Sequence, residues 1–343
     1  MKKRAIFLIL PLIYGFNGCV SQNYEKTYSQ NTFEARNKTK YYELTDIISK
    51  KGFRIDEEKS KFFENSKIVV FIPDIHTNEL QEINLCYLQK LTKAFSFDSF
   101  GLEGLVGEIN ETKKKNLIEK LKNYEWKKKS EEKDEKIDFT NLELLEEEKT
   151  RIEEILRANN YFHRMHRDYD DFFLSVSPGM KYLDTIPKNA RVYGLEEEKT
   201  FDCTKKLTLI QFAHDLIGLN LKIKSYLRKK IDEEHLNKES YIKIEKTLDE
   251  HIKKISEIEK FNRRELGFNF ELSDNIINLF YYALVADIRT EKWAENISNF
   301  EGESILVIGG LGHAPYMHKE LSKRKISHII VNSEHLLKHH NTN

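Results

Sequence analysis

Hydrophobic residues cluster in short runs that predict the strands of a buried sheet. The most apolar run, K-I-V-V-F-I at 67–72, ends at Pro73, where we expect the strand to stop because proline has no N–H to donate. Similar runs predict further strands at 99–102, 190–195, 304–308 and 327–331. Uninterrupted apolar runs are typical of strands covered on both faces, so the pattern predicts a mostly parallel sheet between helices.

Between these runs, apolar residues recur at helical spacing. They predict helices at 41–50, 80–91, 142–173, 207–230, 241–261, 275–297 and 317–324. We therefore expect an α/β fold: a mixed, mostly parallel central sheet flanked by helices, with a large helical insertion. The single domain should span 41–335, with the insertion at about 111–275 and a disordered tail at 336–343.

The amino-terminal residues have the pattern of an export signal. Basic residues at 2–4 precede an apolar run from Ala5 to Ile13, which is too short to cross a bilayer as a helix. Gly18-Cys19 resembles a lipoprotein cleavage site, so we expect 1–19 to be a lipoprotein-type signal peptide and Cys19 to carry the lipid. A polar, flexible tether at 20–40 would follow. The protein is then exported and anchored to the bacterial membrane, on the periplasmic or cell-surface side; a plain signal peptide or an uncleaved anchor is the alternative.

The charge balance disfavours a nucleic-acid partner. Lys and Arg number 56, and so do Asp and Glu, which leaves no net positive field. We expect the two remaining cysteines, Cys86 and Cys203, to be core residues.

Polar residues follow three of the predicted buried strands. His76 comes after the first run, Glu103 after 99–102 and His313 after 304–308. Because ligands bind at the carboxyl ends of strands in open α/β sheets, we expect these side chains to share a site. Two imidazoles and a carboxylate are typical ligands of zinc, manganese or iron, so the set predicts a divalent transition-metal centre.

Neighbouring residues have candidate roles in the same site. Asp74 is expected either to bind the metal or to orient His76, and Glu196, at another strand end, to act as a fourth ligand or general base. Together with Glu103 they are the candidate catalytic residues. For substrate binding, Gly310 and Gly312 allow close backbone approach, and Arg289 suits a carboxylate or phosphate.

A second histidine pair is a less favoured metal site. His163 and His166 share one helical face, with Asp170 one turn further along. Arg164 and Arg167 lie between them and offer ordinary ion pairs instead.

Three segments resemble the TraB/TIKI-type superfamily, which includes erythromycin-esterase-like and haem-binding lipoprotein relatives. They are I-P-D-I-H-T-N-E-L-Q, F-G-L-E-G and I-G-G-L-G-H-A-P-Y-M. That group has two G-x-x-H motifs, an intervening strand-end Glu and an Arg in the helix before the second His. Gly310 to His313 fits the second motif, Glu103 and Arg289 fall in the expected order, and Pro73 replaces the first glycine. The resemblance implies a mixed α/β core with a helical insertion and, for some members, metal-dependent hydrolysis.

A second resemblance competes with the first. I-V-V-F-I-P-D-I-H-T-N is similar to the first motif of calcineurin-like metallophosphoesterases, whose D-x-H supplies two metal ligands. The later motifs of that family, G-D-x-x-D and G-N-H-[DE], do not occur in this sequence.

Three functions follow from these patterns. The first is a membrane-tethered, metal-dependent hydrolase acting on a peptide, ester or amide bond of a peptide or small-molecule substrate. The second is a lipoprotein that binds haem or another ligand through the same histidines without turnover. The third is a metallophosphoesterase.

Overall fold

The structure is a computed structural model, and it describes residues 28–131, 146–234, 238–268 and 274–333. The predicted signal peptide, Cys19, the first part of the tether and the tail lie outside the described residues.

The described elements alternate between strands and helices. The strands are β1 (Arg54–Ile55), β2 (Ile68–Asp74), β3 (Ser99–Glu108), β4 (Arg191–Glu196), β5 (Ser304–Gly310) and β6 (Ser327–Asn332). The helices are α1 (Tyr28–Lys50), α2 (Asn78–Ala94), α3 (Glu111–Glu131), α4 (Glu146–Arg167), α5 (Tyr169–Ser175), α6 (Pro178–Tyr182), α7 (Glu198–Glu234), α8 (Lys238–Glu265), α9 (Asp274–Tyr282), α10 (Arg289–Asn299) and α11 (Ala314–Lys323). A π-helical segment, Ala283–Ile288, joins α9 to α10. Within the described ranges, no helix is both long and apolar enough to cross a membrane.

The six strands form one sheet in the order β1-β6-β2-β5-β3-β4. β1 is antiparallel to β6, and the other neighbours pair in parallel. The predicted α/β fold, with a mixed and mostly parallel sheet flanked by helices, is confirmed.

Both faces of the sheet are covered, which explains the uninterrupted apolar runs. In β2, Ile68, Val70 and Ile72 face one core and Val69 and Phe71 face the other. The first core is closed by α1, α2 and α3, and the second by α10 and α11. Alternate side chains of a strand point to opposite faces, so a strand covered on both sides must be apolar throughout.

The expectation that the first strand stops at Pro73 is wrong. β2 continues through Pro73 to Asp74, and Pro73 lies opposite Gly309 of β5. The pairing between β2 and β6 ends at Phe71 and Ile330, so this end of β2 has a neighbour on one side only. A proline is tolerated there because a missing N–H leaves no second neighbour unsatisfied.

The expectation that the second strand ends at Glu103 is also wrong. β3 runs on to Glu108, although its pairing with β5 ends at Leu102. Beyond that point the chain turns back along β4, with Gly107 opposite Gly194 and Glu108 opposite Tyr193. Gly104 has φ +78°, a left-handed conformation that glycine adopts without strain, and it permits the turn.

The predicted tether is helical from residue 28 onward, because α1 begins at Tyr28. The helix is held by Leu44 and Ile48, which lie in the core. Asn37 donates to the carbonyl of Ser66, and Lys40 pairs with Glu303 at 3.4 Å, both beside the amino ends of β2 and β5. α1 therefore passes the amino edge of the sheet at residues 37–40.

Helices fill most of the predicted insertion, but β4 lies within it. The helices α7 and α8 form an antiparallel pair, because Lys206 lies opposite Glu265 and Lys224 opposite Glu245. Apolar clusters join both helices to α4, separately from the two cores of the sheet.

Cys86 is not the core residue that the sequence suggested. It is exposed, whereas Leu80, Asn84 and Leu88 of the same helix are buried at a spacing of four residues. The buried face of α2 thus passes two positions away from Cys86. Cys203 is partly buried.

His163 of the H-x-x-H pair contacts another histidine. Its Nε2 lies 3.1 Å from Nδ1 of His251, and the two rings stack at 21°. His166 packs against Phe261, and Asp170 pairs with Lys205. Burial, then the charges of His251 and Lys254, lower the pKa of His163 to about 4.

We predict that replacing Gly194 destabilises the turn in β3, because an added Cβ would lie 2.1 Å from the carbonyl of Leu105. Gly194→Ala should lower the free energy of unfolding by about 1–3 kcal/mol, measured by urea denaturation. Gly218→Ala is the matched control, because no atom lies within 4 Å of its Cβ position. In helix α7 it should raise stability by about 1 kcal/mol. A neutral Gly194→Ala would contradict the close packing described here.

We predict that acid destabilises the packed helices α4, α7 and α8 through His163 of α4. The unfolded chain binds a proton near its ordinary pKa of 6.5, whereas folded His163 does so only near 4. The free energy of unfolding should therefore fall as pH falls from about 6.5 to about 4. His163→Gln should reduce this loss, measured by urea denaturation at about pH 7 and about pH 5. Part of the loss should persist, because burial also lowers the pKa of His328 to about 4. An unchanged pH dependence in the variant would contradict the prediction.

Candidate functional site

Four neighbouring strands bring the predicted polar residues to one edge of the sheet. β2, β5, β3 and β4 are adjacent, so their carboxyl ends lie side by side. A cavity of about 540 Å³ opens above them. Its floor contains the side chains of Asp74, His76, Glu103, Arg289 and His313. The structure thus places His76, Glu103 and His313, which are far apart in the sequence, at one cavity.

His76 is held by Asp74. It lies just before α2, where Thr77 caps the helix by accepting a hydrogen bond from the N–H of Leu80. Its Nδ1 donates to Asp74 Oδ2 at 2.9 Å, and its side chain is 48 % exposed. This hydrogen bond keeps the proton on Nδ1 and directs the Nε2 atom of His76 to the cavity.

Asp74 is buried beneath His76 and accepts hydrogen bonds on both oxygens. Tyr182 donates its hydroxyl to Oδ1, and the amide of Gln81 donates to Oδ2 at 2.9 Å. Burial alone raises the pKa of Asp74, but the hydrogen bonds from His76, Tyr182 and Gln81 outweigh it and the pKa lies below the ordinary value. These contacts fit the predicted role of Asp74 in orienting His76, and its alternative role as a metal ligand stays a prediction.

The charge of His76 depends on these neighbours. Burial lowers its pKa, but the hydrogen bond to Asp74 and the negative charges of Glu103 and Asp74 outweigh burial. The pKa of His76 therefore lies above its ordinary value.

His313 is held from the opposite side of the cavity. Thr290 donates its hydroxyl to the carbonyl of Ala286 at 2.6 Å, so it accepts from Nδ1 of His313 at 2.7 Å. The Nε2 atom of His313 is again the unprotonated one. Burial, followed by the positive charge of Arg289, holds the pKa of His313 well below the ordinary value, so the ring is neutral.

Glu103 lies between the two imidazoles. Its Oε2 is 3.9 Å from Nε2 of His76, and its Oε1 is 3.8 Å from Nε2 of His313. The N–H of Gly310 donates to Oε2, and Arg289 Nη2 donates to Oε1 at 3.2 Å. Burial raises the pKa of Glu103, although the charges of Arg289 and His76 act in the opposite direction.

Arg289 is fully engaged with two carboxylates. Besides Glu103, it donates to Glu196 from Nε at 3.2 Å and from Nη2 at 2.5 Å. Glu196 is buried and also accepts from the N–H of Gly104 at 2.9 Å and from Trp293 Nε1 at 3.1 Å. Glu196 therefore anchors Arg289 instead of facing the cavity. The predicted roles of Glu196 as base and of Arg289 in substrate binding stay predictions.

The π-helical segment Ala283–Ile288 sets the direction of Arg289 and Thr290. A π turn adds a residue to each turn, which rotates the following helix relative to the one before. Thr290 bonds to Ala286 inside this segment, and α10 begins at Arg289. The irregular turn thus directs two consecutive side chains to two different residues of the site.

Gly310 packs closely against the site, whereas Gly312 borders open space. A Cβ on Gly310 would lie 3.0 Å from His76 Nε2 and 3.3 Å from Glu103 Oε2. At Gly312 no atom lies within 4 Å of the Cβ position. The predicted approach of a substrate to these two glycines stays a prediction.

The donor set suits a divalent metal in kind, and its spacing is slightly wide. Both imidazoles direct Nε2 at one carboxylate. Each donates its Nδ1–H to a second residue, as is usual for histidines around a bound metal. The separations of 3.8 and 3.9 Å exceed the spacing of about 3.3 Å expected between ligands of a tetrahedral zinc. In this conformation, no group of three or more His, Cys, Asp or Glu among the described residues has the geometry to hold a metal.

Several supporting residues were missed by sequence reasoning. Tyr182 and Gln81 hold Asp74, Thr290 holds His313, and Trp293 packs against His313 with ring centres 4.0 Å apart. Thr290 follows Arg289 in the sequence, and Gln81 faces β2 from the next helix, α2. Their places beside predicted site residues could therefore have indicated both. Nothing in the sequence links Tyr182 to Asp74, 108 residues earlier.

Comparisons with known proteins assign no family to the chain. No protein family model, curated protein or solved structure matches it. The resemblances to the TraB/TIKI and calcineurin-like groups stay predictions from short motifs.

We predict that Arg289→Met strongly destabilises the fold, because it leaves two buried carboxylates without their cation. The free energy of unfolding should fall by about 3–5 kcal/mol in chemical denaturation. The double variant Arg289→Met/Glu196→Gln should be less destabilised than the single one, since one of the two orphaned charges is removed. If the second substitution instead adds its own loss of stability, the pairing does not carry this energy.

Proposed function

We propose that the protein is a metal-dependent hydrolase that cleaves a peptide, ester or amide bond at the site formed by His76, Glu103 and His313. The observation that carries the proposal is the convergence of the two Nε2 atoms on Glu103, at 3.9 and 3.8 Å. Convergence alone is also compatible with a packed polar cluster. The fixed tautomers favour a ligand-binding role, because both lone pairs are turned to the cavity.

The charges on the floor also support a cation. Asp74, Glu103 and Glu196 bring three carboxylates, and Arg289 brings one guanidinium. With neutral imidazoles, a divalent cation would balance the remaining negative charge. It would also offset the cost of burying Glu103, whose pKa is raised by that burial.

His76 and His313 would hold the metal through Nε2, and Glu103 through a carboxylate oxygen. A bound divalent metal polarises a carbonyl and lowers the pKa of water. The protein's own contributions are separate: Asp74 holds His76 in the binding tautomer, and Thr290 does the same for His313.

Glu103 is also the best placed proton acceptor. Its raised pKa brings it nearer to neutral pH, which suits a group that takes a proton from an attacking water and returns it to the leaving group. Arg289 and the N–H of Gly310 fix the two oxygens of Glu103 and so fix the position of that acceptor.

The metallophosphoesterase alternative is less compatible with this geometry. It needs Asp74 as a metal ligand, but Asp74 accepts three side-chain hydrogen bonds, from His76, Tyr182 and Gln81. Glu103 accepts one on each oxygen and lies between the two Nε2 atoms. No comparable observation favours haem, which stays a prediction from the sequence.

We predict that the purified protein binds about one zinc, manganese or iron ion per chain, measured by elemental analysis after dialysis. His76→Ala and His313→Ala should each weaken binding at least tenfold, because each removes one of three ligands. Ester or peptide hydrolysis should be lost in parallel.

His214→Ala is the matched control. It removes an imidazole that pairs with Glu259 in the helical part, outside the cavity, and should leave the metal content unchanged. Wild-type protein that stays metal-free when each of the three ions is offered in excess would refute the proposal.

A further inference from the structure

The cavity above the site has two unlike sides. Its floor is charged, as described above. The rest of its lining, called the wall here, consists mainly of the apolar side chains of Phe173, Val176, Phe201, Tyr281 and Leu311. They come from α5 and the residue after it, from α7, from α9 and from the loop after β5, so several elements contribute to the same apolar surface.

The lysine and the two threonines that α7 contributes to the cavity lining are occupied. Lys205 lies 3.1 Å from Asp170, with its ammonium 4.5 Å from the ring centre of Tyr169 and 5.4 Å from that of Phe201. The hydroxyls of Thr204 and Thr208 donate to carbonyls of their own helix, each at 2.9 Å. Among the described residues lining the wall, none therefore directs an uncompensated charge at a substrate.

Apolar residues of the same elements are also exposed to solvent. Val176 is 49 % and Leu311 39 % exposed. The helix α9, which places Tyr281 in the wall, exposes Leu279 and Tyr282, each 70 %, and buries Ile277. No charged residue occurs between Asp274 and Asp287. A helix that is apolar on both its buried and its exposed side is typical of a segment that binds something apolar.

We infer that the substrate carries an apolar group on the acyl side of the bond that is cleaved. This rests on the proposed function. With the carbonyl over His76, Glu103 and His313, the two groups bonded to its carbon lie within the same cavity, and we place the acyl group against the wall. A cavity of about 540 Å³ is in the range of small-molecule sites, which bind mainly through apolar contact.

Two sources share this chemistry: a straight acyl chain and an apolar amino-acid side chain. In either case the reaction adds water across the bond. The oxygen of water bonds to the carbonyl carbon, the bond to the leaving group breaks, and the leaving group takes a proton. The products are a carboxylic acid and an alcohol or amine.

The test is a series of p-nitrophenyl esters: acetate, butyrate and octanoate. The kcat/KM of the metal-loaded wild-type protein should rise about fourfold for each added methylene until the wall is covered, because each buried methylene adds a similar increment. A second arm compares the N-acetylphenylalanine and N-acetylalanine esters. A steeper rise in the first arm assigns an acyl chain, and a steeper rise in the second assigns an apolar side chain.

Variants of the wall separate apolar contact from the chemistry. Val176→Thr and Leu311→Asn keep the approximate shape, and both residues are exposed, so the fold should tolerate them. Each should reduce the octanoate rate several-fold more than the acetate rate. Leu221→Asn, at an exposed position of α7 outside the cavity lining, is the matched control and should change neither.

Calorimetric binding of acetate, butyrate and octanoate distinguishes the two possible failures. If no ester is hydrolysed but octanoate binds more tightly than acetate and loses that advantage in Val176→Thr, the apolar wall is supported and the hydrolase is refuted. If esters are hydrolysed with rates independent of chain length in both arms, the hydrolase is supported and the inference about the acyl group is overturned.

Discussion

The site depends on one buried cation. Arg289 lies between Glu103 of β3 and Glu196 of β4, and Trp293 and the N–H of Gly104 complete the contacts of Glu196. A buried guanidinium is stable only while its carboxylates stay in place, because an unpaired buried charge costs several kcal/mol. The ends of two strands and the start of α10 are thereby fixed relative to one another. Since Glu103 is the residue that both imidazoles approach, their common geometry follows from this ion pair.

The two imidazoles are controlled from different parts of the chain. His76 takes its orientation from Asp74, which Tyr182 of α6 holds in turn. His313 takes its orientation from Thr290 of α10. The helix α6 also packs so tightly on β3 that a Cβ on Gly179 would lie 2.5 Å from the carbonyl of Glu103. If α6 were displaced, the residues at the floor of the cavity that it contacts, Asp74 and Glu103, would therefore be displaced with it.

Hydrophobic patterning was sufficient to predict the sheet, because a strand covered on both faces must be apolar throughout, as in β2. It also placed His76, Glu103 and His313 at the same edge, since parallel strands end together. It failed to predict the strand ends where one neighbouring strand stops and the strand itself continues, as at Pro73 in β2 and after Leu102 in β3. Nor could it show that Arg289 is neutralised by Glu103 and Glu196, since the partners are 186 and 93 residues away in the chain.

The position of α1 determines how the molecule presents its cavity. Asn37 and Lys40 fasten this helix beside the amino ends of the strands, whereas the charged floor lies at their carboxyl ends. A molecule attached to a surface by its amino-terminal segment would stand with the opening directed outward. Its apolar wall would then meet solutes or chains in the surrounding space rather than the lipid beneath it.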